Sequence, residues 1–243
     1  MFQLYLKEIT SFLSSLIGYV VIGVFLLLTG LFVWILPGEF NILDSGFASL
    51  EPLFFIAPWV FIFLIPAITM RMLSEELRTG TIELLLTKPL TEMQVIGAKY
   101  LAGVTLVIVS LLPTIVYYFV VRHLGLPQGN IDTGSTLGSF FGLILLGGAF
   151  TAIGLLASGI SQNQVVAFLL AALMSFFMYV GFDSLASLSA FRSIDDVIIS
   201  LGMSDHYQSL GRGLVDTRDL VYFGGLIFLF LHAARLLLRS RRW

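Results

Sequence analysis

Six stretches of this chain are apolar for long enough to cross a lipid bilayer, and no soluble fold has room for that many. A spanning helix needs about 20 mostly apolar residues, and such stretches cover roughly 17–36, 53–70, 100–121, 137–160, 164–182 and 220–238. In lipid every backbone N–H and C=O must find its partner inside the protein, which leaves helices as the economical solution. The expected fold class is therefore all-α: a polytopic membrane protein with six transmembrane helices in one domain spanning residues 1–243. Composition agrees, because only 12% of the 243 residues are charged, about half of what soluble domains carry. The tetrapeptide SQNQ at 161–164 separates spans four and five, and a polar break there favours a hairpin over one very long helix.

Orientation follows from the basic residues. With six spans both ends of the chain share one face. That face would hold Lys7, Arg71, Arg78, Lys88, Lys99, Arg235, Arg239, Arg241 and Arg242, nine in all, against four on the other: Arg122, Arg192, Arg212 and Arg218. The positive-inside rule then predicts N-in and C-in, with residues 71–99 in the cytoplasm between spans 1–2 (17–70) and spans 3–5 (100–182). Residues 1–16 read as an interfacial amphipathic helix. Phe2, Tyr5, Leu6, Ile9, Phe12 and Leu13 recur at helical spacing, with Gln3, Lys7, Thr10 and Ser14 opposite. The external loop 183–219 is long for a connector and contains apolar fragments too short to span, so short helices that cap the bundle are expected, one starting at Asp195 and Asp196. Residues 220–243 hold span six and a basic tail.

Several function classes drop out. The chain has no cysteine, hence no disulfide or thiolate metal site. His123, His206 and His232 are too far apart in sequence to form a ligand motif. Neither the phosphate-binding G-x-x-x-x-G-K-[ST] nor the catalytic H-E-x-x-H or G-x-S-x-G motif occurs, and a net charge of −2 offers no field for nucleic acid. The spans lack charged residues until Arg235, which argues against an ion-coupled relay. The Gly138/Gly142 pair, extended by Gly154 and Ser158, marks span four as a close-packing surface.

The segment SEELRTGTIELLLTKPLTE, residues 74–92, is the exception to this apolar pattern. Residues 71–79 are expected to continue helical from span two, with Arg71, Glu75 and Arg78 spaced to pair and Met72, Leu73 and Leu77 on an apolar face. Gly80 suits the left-handed position after a helix. Thr81 suits the cap of a second short helix with Glu83 in its first turn, and Pro89 ends it. Thr91 and Gln94 form a T-x-x-Q capping box that starts the next helix. A short helix with apolar and acidic positions is built either to dock a partner or to pack on the N-terminal helix and the membrane surface.

Glu75, Glu76, Arg78, Gly80, Thr81, Glu83, Leu85, Leu86 and Pro89 resemble the E-E-x-R-x-G-T-x-E-x-L-L-x-x-P pattern of ABC-2 type transporter permeases. The pattern falls between the second and third of six spans, where that family places it, and the six-span layout agrees over nearly the whole chain. Among such permeases it looks most like those of gliding-motility systems, and next like that of the nitrous-oxide-reductase copper-maturation system. The resemblance implies a transport subunit rather than an enzyme, resident in a bacterial inner membrane. It would work as an exporter, pairing with a second permease subunit in the lipid. A separate cytoplasmic ABC ATPase subunit would supply ATP hydrolysis, so ATP and Mg would reside on that partner and no cofactor on this chain. The nine residues would form the coupling helix seated in the ATPase. A non-transporting scaffold that tethers a cytoplasmic partner is the alternative reading of the same segment.

Overall fold

A computed structural model describes residues 1–82, 90–188, 194–213 and 216–240, and within them the chain contains helices and connecting turns with no strand. Six helices are long and apolar enough to cross a membrane: Leu16–Ile35, Glu51–Thr79, Glu92–Leu124, Thr133–Ile160, Gln164–Ala186 and Thr217–Ser240. They match the six expected spans, and the SQNQ break is a real turn, with Asn163 capping the following helix through the backbone N–H of Val165.

In chain order, α1 (Phe2–Leu13) precedes span one, which is α2 (Leu16–Gly30) ending in a π-helical turn at Leu31–Ile35. A short α3 (Ile42–Ser45) lies in the first loop, followed by α4 (Glu51–Thr69) and α5 (Ser74–Thr79). Span three is α6 (Glu92–Leu111), a 3-10 turn at Leu112–Thr114 and α7 (Ile115–Leu124); Pro113 sits in that turn. Span four is α8 (Thr133–Ile160), and span five is α9 (Gln164–Phe176) with a π-helical turn and α10 (Phe182–Ala186). Two short helices, α11 (Asp195–Ile199) and α12 (Met203–Gly211), precede span six, α13 (Thr217–Ser240). Asp195 and Asp196 do occupy the first turn of α11, where the helix dipole favours them.

The bundle is organised around α8. It packs against α4, α6, α9, α12 and α13, while α2 sits outside on α4 and α6. Such a centre needs small residues, because helices in lipid gain by close contact rather than by escaping water. A methyl group at Gly147 would lie 2.7 Å from the Val107 side chain, and one at Gly154 would lie 2.0 Å from Thr69 Oγ1. The Gly138/Gly142 pair serves the same end within the subunit. It faces the backbone of Leu210 and the ring of Tyr207, so it seats α12 and is not free for another chain.

A proline in span two explains how α12 is held. Pro58 has no N–H, so the carbonyl of Phe54, four residues earlier, loses its helical donor. Tyr207 of α12 fills the vacancy: its hydroxyl donates to Phe54 O at 2.8 Å, and the side chain is buried. Burial pushes the Tyr207 phenol well above its usual range, so it stays a donor. Replacing Tyr207 by Phe is expected to lower stability by roughly 1–3 kcal/mol, the cost of one stranded buried carbonyl. Thermal unfolding in detergent checks it, and Pro58→Ala in the same background should recover part of the loss by supplying the missing N–H.

Candidate partner-docking site at a helix break

The sequence predicts a helix running unbroken from span two through residue 79, but the backbone turns between Thr69 and Ser74. The cause lies 85 residues away. Ser158, fully buried on α8, accepts from the N–H groups of Leu73 at 2.9 Å and Ser74 at 3.0 Å, and donates to Met70 O at 3.0 Å. Those two amides would otherwise seek carbonyls four residues back in a continuous helix; one hydroxyl takes both and thereby starts α5. Ser74 Oγ also bonds Met70 O. Truncating Ser158 to Ala strands two buried amides, while Met70 O keeps the Ser74 hydroxyl. It should cost on the order of 2 kcal/mol, read as a lowered unfolding temperature together with faster proteolysis within residues 70–82.

Two further corrections concern the charges. Arg71 does not pair with Glu75. Its Nη2 donates to Ser15 Oγ at 3.1 Å and its guanidinium stacks 4.7 Å from the centre of the Phe12 ring. Arg71 thus binds the junction of α1 and α2. Glu75 and Arg78 are exposed and make no ion pair with each other. Lys99, counted in the sequence only as a face-marking cation, is 1% exposed and forms the ionic centre of the region. Its ammonium lies 2.9 Å from Glu8 Oε1 of α1 and 2.9 Å from Glu76 Oε1 of α5. Glu8 fell on neither face of the expected amphipathic helix. The docked side of α1 is in fact Leu4, Tyr5, Glu8 and Phe12, with Tyr5 bonded to Thr105 of α6 at 3.0 Å.

Gly80 adopts the left-handed conformation expected of it, with φ +70°. Thr79, Gly80 and Thr81 are exposed, and Thr81 Oγ1 is hydrogen-bonded to Thr79 Oγ1 at 2.9 Å; Ile82 is buried. Of the sequence-predicted site, Glu75, Glu76, Arg78, Gly80 and Thr81 therefore gather on one short helix and its exit, four exposed and Glu76 tied inward. Glu83, Leu85, Leu86 and Pro89 lie outside the described residues, as does most of the second short helix. Beyond it the capping box is complete: Thr91 Oγ1 accepts from Gln94 N and Gln94 Oε1 accepts from Thr91 N. Nearby, Arg235 at the end of span six lies 3.5 Å from Glu92 at the start of span three, which places both ends of the chain on this same face.

Compared with known protein families, residues 3–231 match the model of the ABC-2 family transporter protein. The chain belongs to the ABC-2 transporter family. It is thus a multi-pass membrane permease of an ABC transporter. No curated protein matches it.

On its opposite face this ABC-2 permease has a second largely buried polar contact that sequence spacing did not reveal. His206 of α12 places Nδ1 2.7 Å from Asp219 Oδ1 and Nε2 3.0 Å from the Ser200 carbonyl, with its ring stacked 3.8 Å from that of Tyr222. The Tyr222 hydroxyl donates to Leu201 O, so two adjacent side chains hold the end of α11 against α12 and α13. No group of three or more His, Cys, Asp or Glu that could hold a metal occurs among the described residues.

Proposed function

We propose that this chain is the membrane-spanning subunit of an ABC exporter, paired with a second permease subunit, and that α5 with its exit at Gly80 receives a separate cytoplasmic ATPase. ATP hydrolysis takes place on that partner, with Mg, and substrate crosses between the permease subunits. The observation that carries this reading is the broken helix. The chain interrupts span two at a cost in backbone hydrogen bonding, anchors the short α5 from inside through Ser158 and Lys99, and turns Glu75, Arg78 and Thr79 outward. A connector alone needs none of this. The basic excess on the face carrying both ends supports a cytoplasmic position for it, in a bacterial inner membrane. The resemblance to gliding-motility permeases supports a place in a system of that kind.

The test uses the exposed residues, whose change leaves the fold intact. Glu75→Lys and Arg78→Glu should each weaken co-purification of the ATPase about tenfold and reduce substrate-stimulated hydrolysis in liposomes, with the unfolding temperature unchanged; the loss corresponds to one charged contact across an interface. Full retention of ATPase binding by both variants would rule out α5 as the docking element. Loss of gliding on deletion of the gene tests the placement in a motility system.

A further inference from the structure

A cavity of about 530 Å³ opens between α1, α5 and the start of α6, on the face that carries both ends of the chain. Among the described residues, three cations and three carboxylates line it. Lys99 is consumed by Glu8 and Glu76. What remains is unspent on both sides of the charge balance. Arg71 uses one of its five N–H donors, on Ser15, and Lys7 has no partner among the described residues. Glu75 likewise has none, and Glu76 Oε2 is buried without a hydrogen bond. The cavity also has an apolar part, Phe12 and Met72, both buried. One wall is α1, whose Phe2 and Leu6 remain exposed.

We propose that this cavity binds the headgroup of an amine-bearing phospholipid, a phosphoethanolamine lipid of the adjoining leaflet. The chemistry selects it. The phosphate meets the free donors of Arg71 and the ammonium of Lys7, and the primary ammonium of the headgroup donates to the exposed carboxylate of Glu75, on the side of the cavity that Glu76 makes acidic. The acyl chains leave along the apolar side of α1 into the bilayer. A quaternary choline headgroup satisfies the cations but has no N–H to donate to the Glu75 carboxylate. A glycerol headgroup brings the anion without any cation for the glutamates. The order of preference is therefore ethanolamine over choline and over glycerol, a pattern that non-specific attraction of anionic lipid to basic residues would reverse. The lipid would wedge between α1 and α5, so its presence would also stiffen the segment that the proposed ATPase contacts; the binding itself stands without that reading.

The experiment is native mass spectrometry of the purified, full-length protein with dioleoyl lipids carrying ethanolamine, choline or glycerol headgroups at equal concentration. Thermal unfolding in the same detergent and lipid mixtures runs in parallel. Expected is about tenfold tighter retention of the ethanolamine lipid and a rise in unfolding temperature with it alone, since one charged hydrogen bond separates it from choline. Glu75→Gln should erase the preference and Arg71→Met should loosen all three lipids alike, whereas Arg122→Gln on the opposite face should change neither. Equal binding of the three lipids, a preference for the glycerol lipid, an ethanolamine preference that survives Glu75→Gln, or undiminished retention in Arg71→Met would overturn the proposal. Water-soluble phosphoethanolamine should compete weakly; if it displaces the lipid at equal concentration, the site serves a free metabolite and the lipid assignment falls. The wild-type comparison decides the matter even if Arg71→Met fails to fold.

Discussion

Replacing Lys99 by Met should destabilise this permease more than any other single change on the face carrying the chain ends, by roughly 3–5 kcal/mol. Among the described residues Lys99 is the only cation paired with Glu8 Oε1 and Glu76 Oε1, and all three side chains are largely withdrawn from solvent, at 1%, 16% and 15% exposure. Taking away the ammonium leaves two carboxylates close together with nothing between them, which costs far more than the pair contributes by existing. That asymmetry provides the check. A triple variant, Lys99→Met with Glu8→Gln and Glu76→Gln, keeps the shapes and removes the stranded charge, so it should recover most of the lost stability. Thermal unfolding of both proteins in one detergent measures the difference. A single variant as stable as wild type would show that water reaches this cluster and that the three charges are merely adjacent. If the triple variant stays as unstable as the single one, packing of the lysine stem, not charge, holds α1 to α5.

The second large effect is expected at Gly154. Its α carbon faces Thr69 at the end of α4, and a Cβ there would lie 2.0 Å from Thr69 Oγ1 and 2.8 Å from its Cβ. The hydroxyl is already committed to Ile65 O at 2.9 Å, and Thr69 is fully buried, so rotation of its side chain gives no relief. Gly154→Val must therefore push spans two and four apart just where Ser158, one turn further along α8, reaches across to Leu73 and Ser74. Overpacking of this size costs about 1–3 kcal/mol by itself, and loss of the Ser158 hydrogen bonds adds a comparable amount. The expected result is failure to accumulate in the membrane at 37 °C with partial rescue at low temperature, scored by fluorescence-detected size exclusion. Thr69→Ala in the same background removes the contact to Oγ1 but keeps the one to Cβ, so it should restore only part of the yield, and Thr69→Gly should restore more. That ranking would locate the defect at this one contact.

How much of this could be read from the sequence depended on how far each partner lay. The spans are continuous apolar runs, and the polar break at 161–164, the left-handed Gly80 and the Thr91–Gln94 box are local chemistry, so each could be placed from a few neighbouring residues. The turn at 70–73 could not, because nothing between Thr69 and Ser74 breaks a helix. The agent is a serine on another span, and a serine in an apolar helix looks like one that bonds its own preceding turn; Thr29, Thr69 and Thr151 in this chain do just that. Arg71 and Glu75 have the right spacing to pair, but the Phe12 ring and Ser15 offer the guanidinium a less solvated place. Lys99 and Glu8 sit 91 residues apart, and no periodicity links them. The same holds for His206 and Asp219, whose 13-residue separation crosses from α12 to α13.

The placement of Ser158 has a mechanical consequence. Because α5 is not a straight extension of α4, a force applied to it is not delivered along the axis of span two as a rod would deliver it. Part of it passes sideways through the Ser158 hydroxyl into α8, and part through Lys99 into α6 and α1. Helix α8 touches spans two, three, five and six, so a load arriving there is shared across the bundle from its axis outward. Span one, which rests on α4 and α6 at the periphery, receives that share last.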